Sequence, residues 1–209
     1  MRTSVESIIL FILFLAGSFG LSLNFLNPLF VFLTPFFLFI SSVYVIIRTV
    51  ELTKKRFIVL VCVLAATYFI EVAGVKTGIV FGEYVYKGGL GMKVFEVPPV
   101  IGLNWLILML AGLSIASQVT SNRFIASFIS AVLLVYLDVL IEPSAIKHNW
   151  WSWENGIVPF HNYAAWFIIA FLFSLVLFSL SRGKNNKLLG RIYFMQLCFF
   201  VIMHSLEAF

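Results

Sequence analysis

Runs of about 20 apolar residues recur from one end of this chain to the other. A backbone crossing hydrocarbon must satisfy its own polar groups, which leaves α-helices or a closed β-barrel. The runs are continuous rather than alternating, and a barrel would alternate. The expected fold is therefore all-α: a polytopic transmembrane helical bundle of about seven spans. They are drawn at 7–23, 28–47, 57–75, 97–117, 124–141, 162–180 and 192–209. Only 11% of the residues are charged, whereas a soluble domain carries about a quarter. The chain is read as one integral membrane domain, 1–209, with the lipid bilayer as its environment. Arg2 precedes an apolar run from Ile8, but residues 18–27 (SFGLSLNFLN) offer no small-residue cleavage site, so the run is taken as a retained span.

The net charge of +5 does not point to nucleic acid, because the basic residues occupy short connections between spans. Ten Lys and Arg residues fall on the side that holds the N-terminus, among them Arg2, Arg48, Arg123, Arg182, Lys184 and Arg191. Four lysines fall opposite: Lys76, Lys87, Lys93 and Lys147. The positive-inside rule then places the N-terminus in the cytoplasm and the C-terminus outside, in a multi-pass protein of the cytoplasmic membrane. Cys62 and Cys198 lie in apolar runs and are expected as buried free thiols.

Acidic residues divide the other way. Glu71, Glu83, Glu96, Asp138, Glu142, Glu154 and Glu207 lie at or beyond the outer ends of spans. Acids hardly influence insertion, so this asymmetry is either wet-loop composition or a site. The stretch 142–166, EPSAIKHNWWSWENGIVPFHNYAAW, concentrates the polar chemistry. It holds Glu142, Glu154, His148, His161 and four of the five tryptophans, with Asp138 one helical turn before it. Such tryptophans anchor membrane interfaces, but Trp151 and Trp153 also flank Ser152 just before Glu154. A carboxyl group walled by indoles has its charged form disfavoured and can donate a proton near neutral pH. Indole faces also stabilise a cation.

The other outer connection contains Gly74, Gly78 and Gly82 at four-residue intervals, a smooth packing face if helical. Gly88, Gly89 and Gly91 then break the chain. The two connections echo each other: Glu71 and Glu83 are separated like Glu142 and Glu154, and Pro99 stands before Asn104–Trp105 as Pro159 stands before Asn162 and Trp166. This fits an internal duplication or chance. Asn104, Trp105, Asn162 and Trp166 fall in the first turns of spans four and six, where asparagine can cap and tryptophan can anchor. His148 and His161 lack any tight ligand pattern, so no metal is expected. His204 is read as a hydrogen-bonded packing residue. Phosphate-binding, dinucleotide, nucleophile-elbow and aspartate-rich diphosphate motifs are missing.

In that order, TGIVFGEYVYKGGLG, VPPVIGLNW, DVLIEP, NWWSWEN, VPFHN and AAW resemble the bacterial and archaeal family of carotenoid biosynthesis membrane proteins that includes the CruF-type carotenoid hydratases. The resemblance covers roughly residues 60–170. Val158, Phe160 and His161, and Ala164–Ala165 in place of a glycine, depart from the pattern near the second asparagine. The resemblance implies a carotenoid substrate, no cofactor, and water added to the terminal double bond of an acyclic, lycopene-like end group. An acid must protonate the alkene, a shielded site must hold the tertiary cation, and a base must orient water. On that reading Glu154 is the preferred proton donor, with Glu83 as the alternative, and Asp138 or Glu142 holds the water. Trp150, Trp153 and Tyr84 shield the cation, and Asn104 and Asn162 fix loops or the nascent hydroxyl. Trp105, His148 and Trp166 complete the substrate-binding set. The rivals are a lycopene-cyclase-like reaction, in which an internal alkene captures the same cation, and a non-catalytic membrane carrier or transporter. A reporter that works only outside the cytoplasm should be active when fused after Phe209; activity there of a cytoplasm-only reporter would reverse the assigned topology.

Overall fold

The computed structural model describes residues 2–180 and 186–207, with side chains from residue 5 onward and, after the break, from residue 187. Arg182, Lys184 and Phe209, and the side chain of Arg2, lie outside the described residues. Seven helices follow one another: α1 (Arg2–Ser22), α2 (Asn27–Thr49), α3 (Lys54–Thr77), α4 (Val100–Ala116), α5 (Arg123–Lys147), α6 (Phe160–Leu177) and α7 (Asn186–Glu207). Two short strands interrupt them: β1 (Tyr84–Tyr86) after α3 and β2 (Trp151–Trp153) after α5. Among the described residues six helices are long and apolar enough to cross a membrane, and the chain is an all-α polytopic membrane bundle. Large apolar side chains such as Phe32, Phe36, Phe39 and Ile40 on α2 project outward, as a lipid-facing surface requires.

The expected fourth span differs. With 17 residues α4 is a shorter apolar helix, about 25 Å long at the usual rise. It can be short because it is the hub: α2, α3, α5, α6 and α7 all pack on it, and 14 of its 17 residues are buried. A helix apolar on every face belongs in such a position. Small residues bring its neighbours close. A Cβ on Gly102 would lie 3.0 Å from the Leu64 carbonyl oxygen of α3, and one on Gly112 would lie 2.6 Å from the Ser130 hydroxyl of α5.

Helix boundaries follow local chemistry. Thr53 caps α3 by accepting from the Arg56 amide, and Asn122 caps α5 by accepting from Phe124 and Ile125. α3 ends at Gly78, which is left-handed (φ 66°) and donates its amide to the Gly74 carbonyl. The expected glycine face on one continuous helix is therefore not formed, since Gly82 lies beyond the stop at φ 110°. α5 continues six residues past the expected end at 141, because Asp138 and Glu142 turn inward rather than into a wet loop. Asn162 does not cap α6: its side chain is buried and donates to Asp138. Cys62 and Cys198, expected buried, are exposed free thiols. Nε2 of His204, expected to be hydrogen-bonded, has no partner among the described residues.

Polar contacts pin each end of the bundle. At one end Arg48 of α2 bridges to Glu6 of α1 at 2.7 Å, and Arg191 of α7 donates to Ser7 at 2.7 Å. At the other, buried His148 joins Asn27 at the start of α2 (2.9 Å) to Glu207 at the end of α7 (2.7 Å). The two strands sit at this second end. Gly112→Leu should cost about 1–3 kcal/mol by overpacking α4 against α5, whereas Gly88→Ala meets nothing within 4 Å. Thermal unfolding in detergent should show a lowered midpoint for the first and an unchanged one for the second.

Candidate active site

β1 and β2 pair antiparallel in the register Tyr84↔Trp153, Val85↔Ser152 and Tyr86↔Trp151. Side chains alternate across a strand, so this register sends Tyr84, Tyr86, Trp151 and Trp153 to one face, and Val85 and Ser152 to the other. The Glu154 amide donates to the Glu83 carbonyl at 2.9 Å and extends the ladder. The aromatic face is turned into the bundle, with the rings of Tyr84 and Trp153 5.1 Å apart.

Each inward donor finds a carboxylate. Glu71, on the last turns of α3 and buried, accepts from the hydroxyls of Tyr84 (2.5 Å) and Tyr86 (2.9 Å) and from the indole of Trp105 (2.7 Å). Burial, and then the Glu71 charge, push the titration of both phenols upward, which keeps them as donors. Oε2 of Glu142 accepts from the indoles of Trp151 (2.9 Å) and Trp153 (2.7 Å). Asp138, one turn earlier on α5 and fully buried, accepts at Oδ2 from Asn162 of α6 (2.9 Å). Its Oδ1 has no partner among the described residues.

These three carboxyl groups line one cavity of about 370 Å³. Trp105 and Trp166 stack along it, centroids 4.0 Å apart and planes 29° from parallel. Asn104, Trp150 and Gln196 also contribute to the wall. An apolar arm extends between α1 and α2, lined by Leu13, Gly17, Phe30, Leu33 and Phe37. No Lys, Arg or His side chain is among the described lining residues.

The structure thus brings together Asp138, Glu142, Tyr84, Asn104, Trp105, Trp150, Trp153, Asn162 and Trp166. It does not bring Glu154 or Glu83 there. Both are exposed, side by side at the outer edge of the hairpin, and line a separate basin. The expected indole wall around Glu154 is absent, since the indole N–H groups of Trp151 and Trp153 serve Glu142. Glu154 titrates above the ordinary carboxylate range chiefly because of its neighbour Glu83, with desolvation the smallest cause. His148 also lies off the cavity, in the α2–α5–α7 pin. Among the described residues no three His, Cys, Asp or Glu side chains group so as to hold a metal ion. Glu71, Tyr86 and Trp151 are not among the site residues expected from the sequence. The signal available for Glu71 was the echoed spacing, which makes it the counterpart of Glu142.

The chain is 33% identical over 122 residues to the bisanhydrobacterioruberin hydratase of Haloarcula japonica. That match covers 52% of this chain and 40% of the relative, so the aligned stretch is less than half of the relative's length. No solved structure is detectably similar. Residues 27–208, from the start of α2 to the end of α7, match the carotenoid biosynthesis protein family, and the chain belongs to that family.

Proposed function

We propose that this protein is a carotenoid end-group hydratase, adding one water to the terminal double bond of an acyclic, lycopene-like end. The observation that carries the reading is the meeting of three carboxyl groups and stacked indoles in the wall of one largely apolar cavity. A cavity that holds several carboxyl groups and no cation can keep one proton to give and one carboxylate to receive. The apolar arm between α1 and α2 suits a polyene, with the end group against the acids and the rest of the chain toward lipid. The relative's name describes a hydratase of a carotenoid, which is the same class of reaction.

Asp138 is assigned as the proton donor. Asn162 already donates to Oδ2, so a proton on this group sits at Oδ1, the oxygen left without a partner. Its transfer to the less substituted alkene carbon consumes the π bond and leaves a tertiary cation. The indole faces of Trp105 and Trp166 and the negative charge of Glu71 stabilise that cation. Glu142 orients a water and accepts its proton as the C–O bond forms, giving a tertiary alcohol. The proton then returns over one helical turn to Asp138, so the cycle balances with water as the only addition. Glu71 has a second task as a positioning residue, because Tyr84, Tyr86 and Trp105 all aim at it. Glu154 and Glu83, the donors expected from the sequence, have no step in this scheme. The setting is the cytoplasmic membrane, with the N-terminus inside and the hairpins outside.

In a lycopene-accumulating host, pigment mass reads the outcome directly. Asp138→Asn and Glu142→Gln should each lower hydrated product by about 100-fold or more, with membrane insertion intact. Glu154→Gln should retain product. Full product from both cavity variants, or its loss from Glu154→Gln alone, would overturn the assignment.

A further inference from the structure

Hydration has two substrates of opposite character, and the protein has two compartments of opposite character. Outside the hairpin lies a basin of about 470 Å³, lined by Lys76, Thr77, Gly78, Glu83, Ser152 and Glu154. Among the described residues, Tyr84 and Trp153 alone line both this basin and the carboxylate cavity. At that point the basin and the cavity share a wall. The two rings are cross-strand partners, 5.1 Å apart and tilted by 34°. Their bodies form the wall, while their polar atoms reach inward, Tyr84 to Glu71 and Trp153 to Glu142. Water that passes between the rings arrives beside the carboxylate assigned to orient it. The cavity also has the apolar arm along α1 and α2, which on the hydratase reading takes the polyene. An apolar passage occupied by hydrocarbon cannot deliver the polar substrate.

We propose that the basin bounded by Thr77, Glu83, Ser152 and Glu154 is the water-supplying site of the enzyme, and that water enters between Tyr84 and Trp153 while the polyene enters from the lipid side. This rests on the hydratase reading. Glu83 and Glu154 keep the basin wet and Val85, which lines it and is 47% exposed, stands at its mouth.

The test uses the full-length chain in lipid nanodiscs, with Cys62→Ser and Cys198→Ser removing the exposed native thiols and Val85→Cys adding one in the basin. Modification with a bulky, charged methanethiosulfonate should lower hydration at least tenfold, while the visible absorption of bound polyene stays. A methyl adduct at the same thiol should leave the rate within twofold. Val85→Trp, a plug that needs no labelling, should behave like the bulky adduct. An unchanged rate with the basin filled would overturn the proposal, and so would joint loss of bound polyene and rate, since the basin would then lie on the polyene's path. Absence of hydrated product from the unmodified protein would instead sink the hydratase reading, and this inference with it.

Discussion

Six residues of backbone pairing decide what the interior of this protein can do. The register Tyr84↔Trp153, Tyr86↔Trp151 places four aromatic side chains with polar tips on one face of a two-stranded ribbon. A ribbon of that size is not stable alone and has to borrow stability from what it packs against. Here the ribbon is fastened by hydrogen bonds to Glu71 on α3 and to Glu142 on α5. The dependence runs both ways. Without the ribbon, Glu142 would be buried with no donor and Glu71 would keep only the Trp105 indole, at a cost of several kcal/mol in a weakly polar setting. Without the carboxylates, the ribbon's two phenols and two indoles would lose their acceptors. The pairing of the hairpins and the burial of the acids are one cooperative event.

Much of the fold was legible because membrane helices announce themselves by unbroken apolar runs. The central position of α4 was less so: its sequence differs little from a lipid-facing span, and only its length and its Gly102 and Gly112 distinguish a hub. The strands could not be read. Three residues each is too short for a period-two pattern to stand out, and YVY and WSW look equally like interface anchors. The echo of Glu71/Glu83 with Glu142/Glu154 has a counterpart in burial. In each pair the first carboxyl is on a helix and faces in, and the second is at the ribbon edge and faces out. Adjacency in sequence pointed to Glu154 as the acid among the indoles. The geometry reverses this, because indole N–H groups reach back along the chain to Glu142.

The arrangement also accounts for how such chemistry can be done in a membrane. A tertiary cation next to bulk water is captured at once, and in pure hydrocarbon it is never formed. A cavity with fixed carboxylates and π faces, beside a polar basin that shares two of its lining rings, lies between these extremes. The central helix packs against both α3 and α5, which carry the cavity carboxylates, whereas Glu154 lies at the exposed edge of the ribbon.

The most direct measurement is to supply the reconstituted protein with an acyclic polyene in heavy-oxygen water and weigh the pigment. The account requires a product heavier by one water, with the heavy isotope in a new tertiary hydroxyl. A product of unchanged mass bearing a ring, or pigment recovered unaltered, would contradict it.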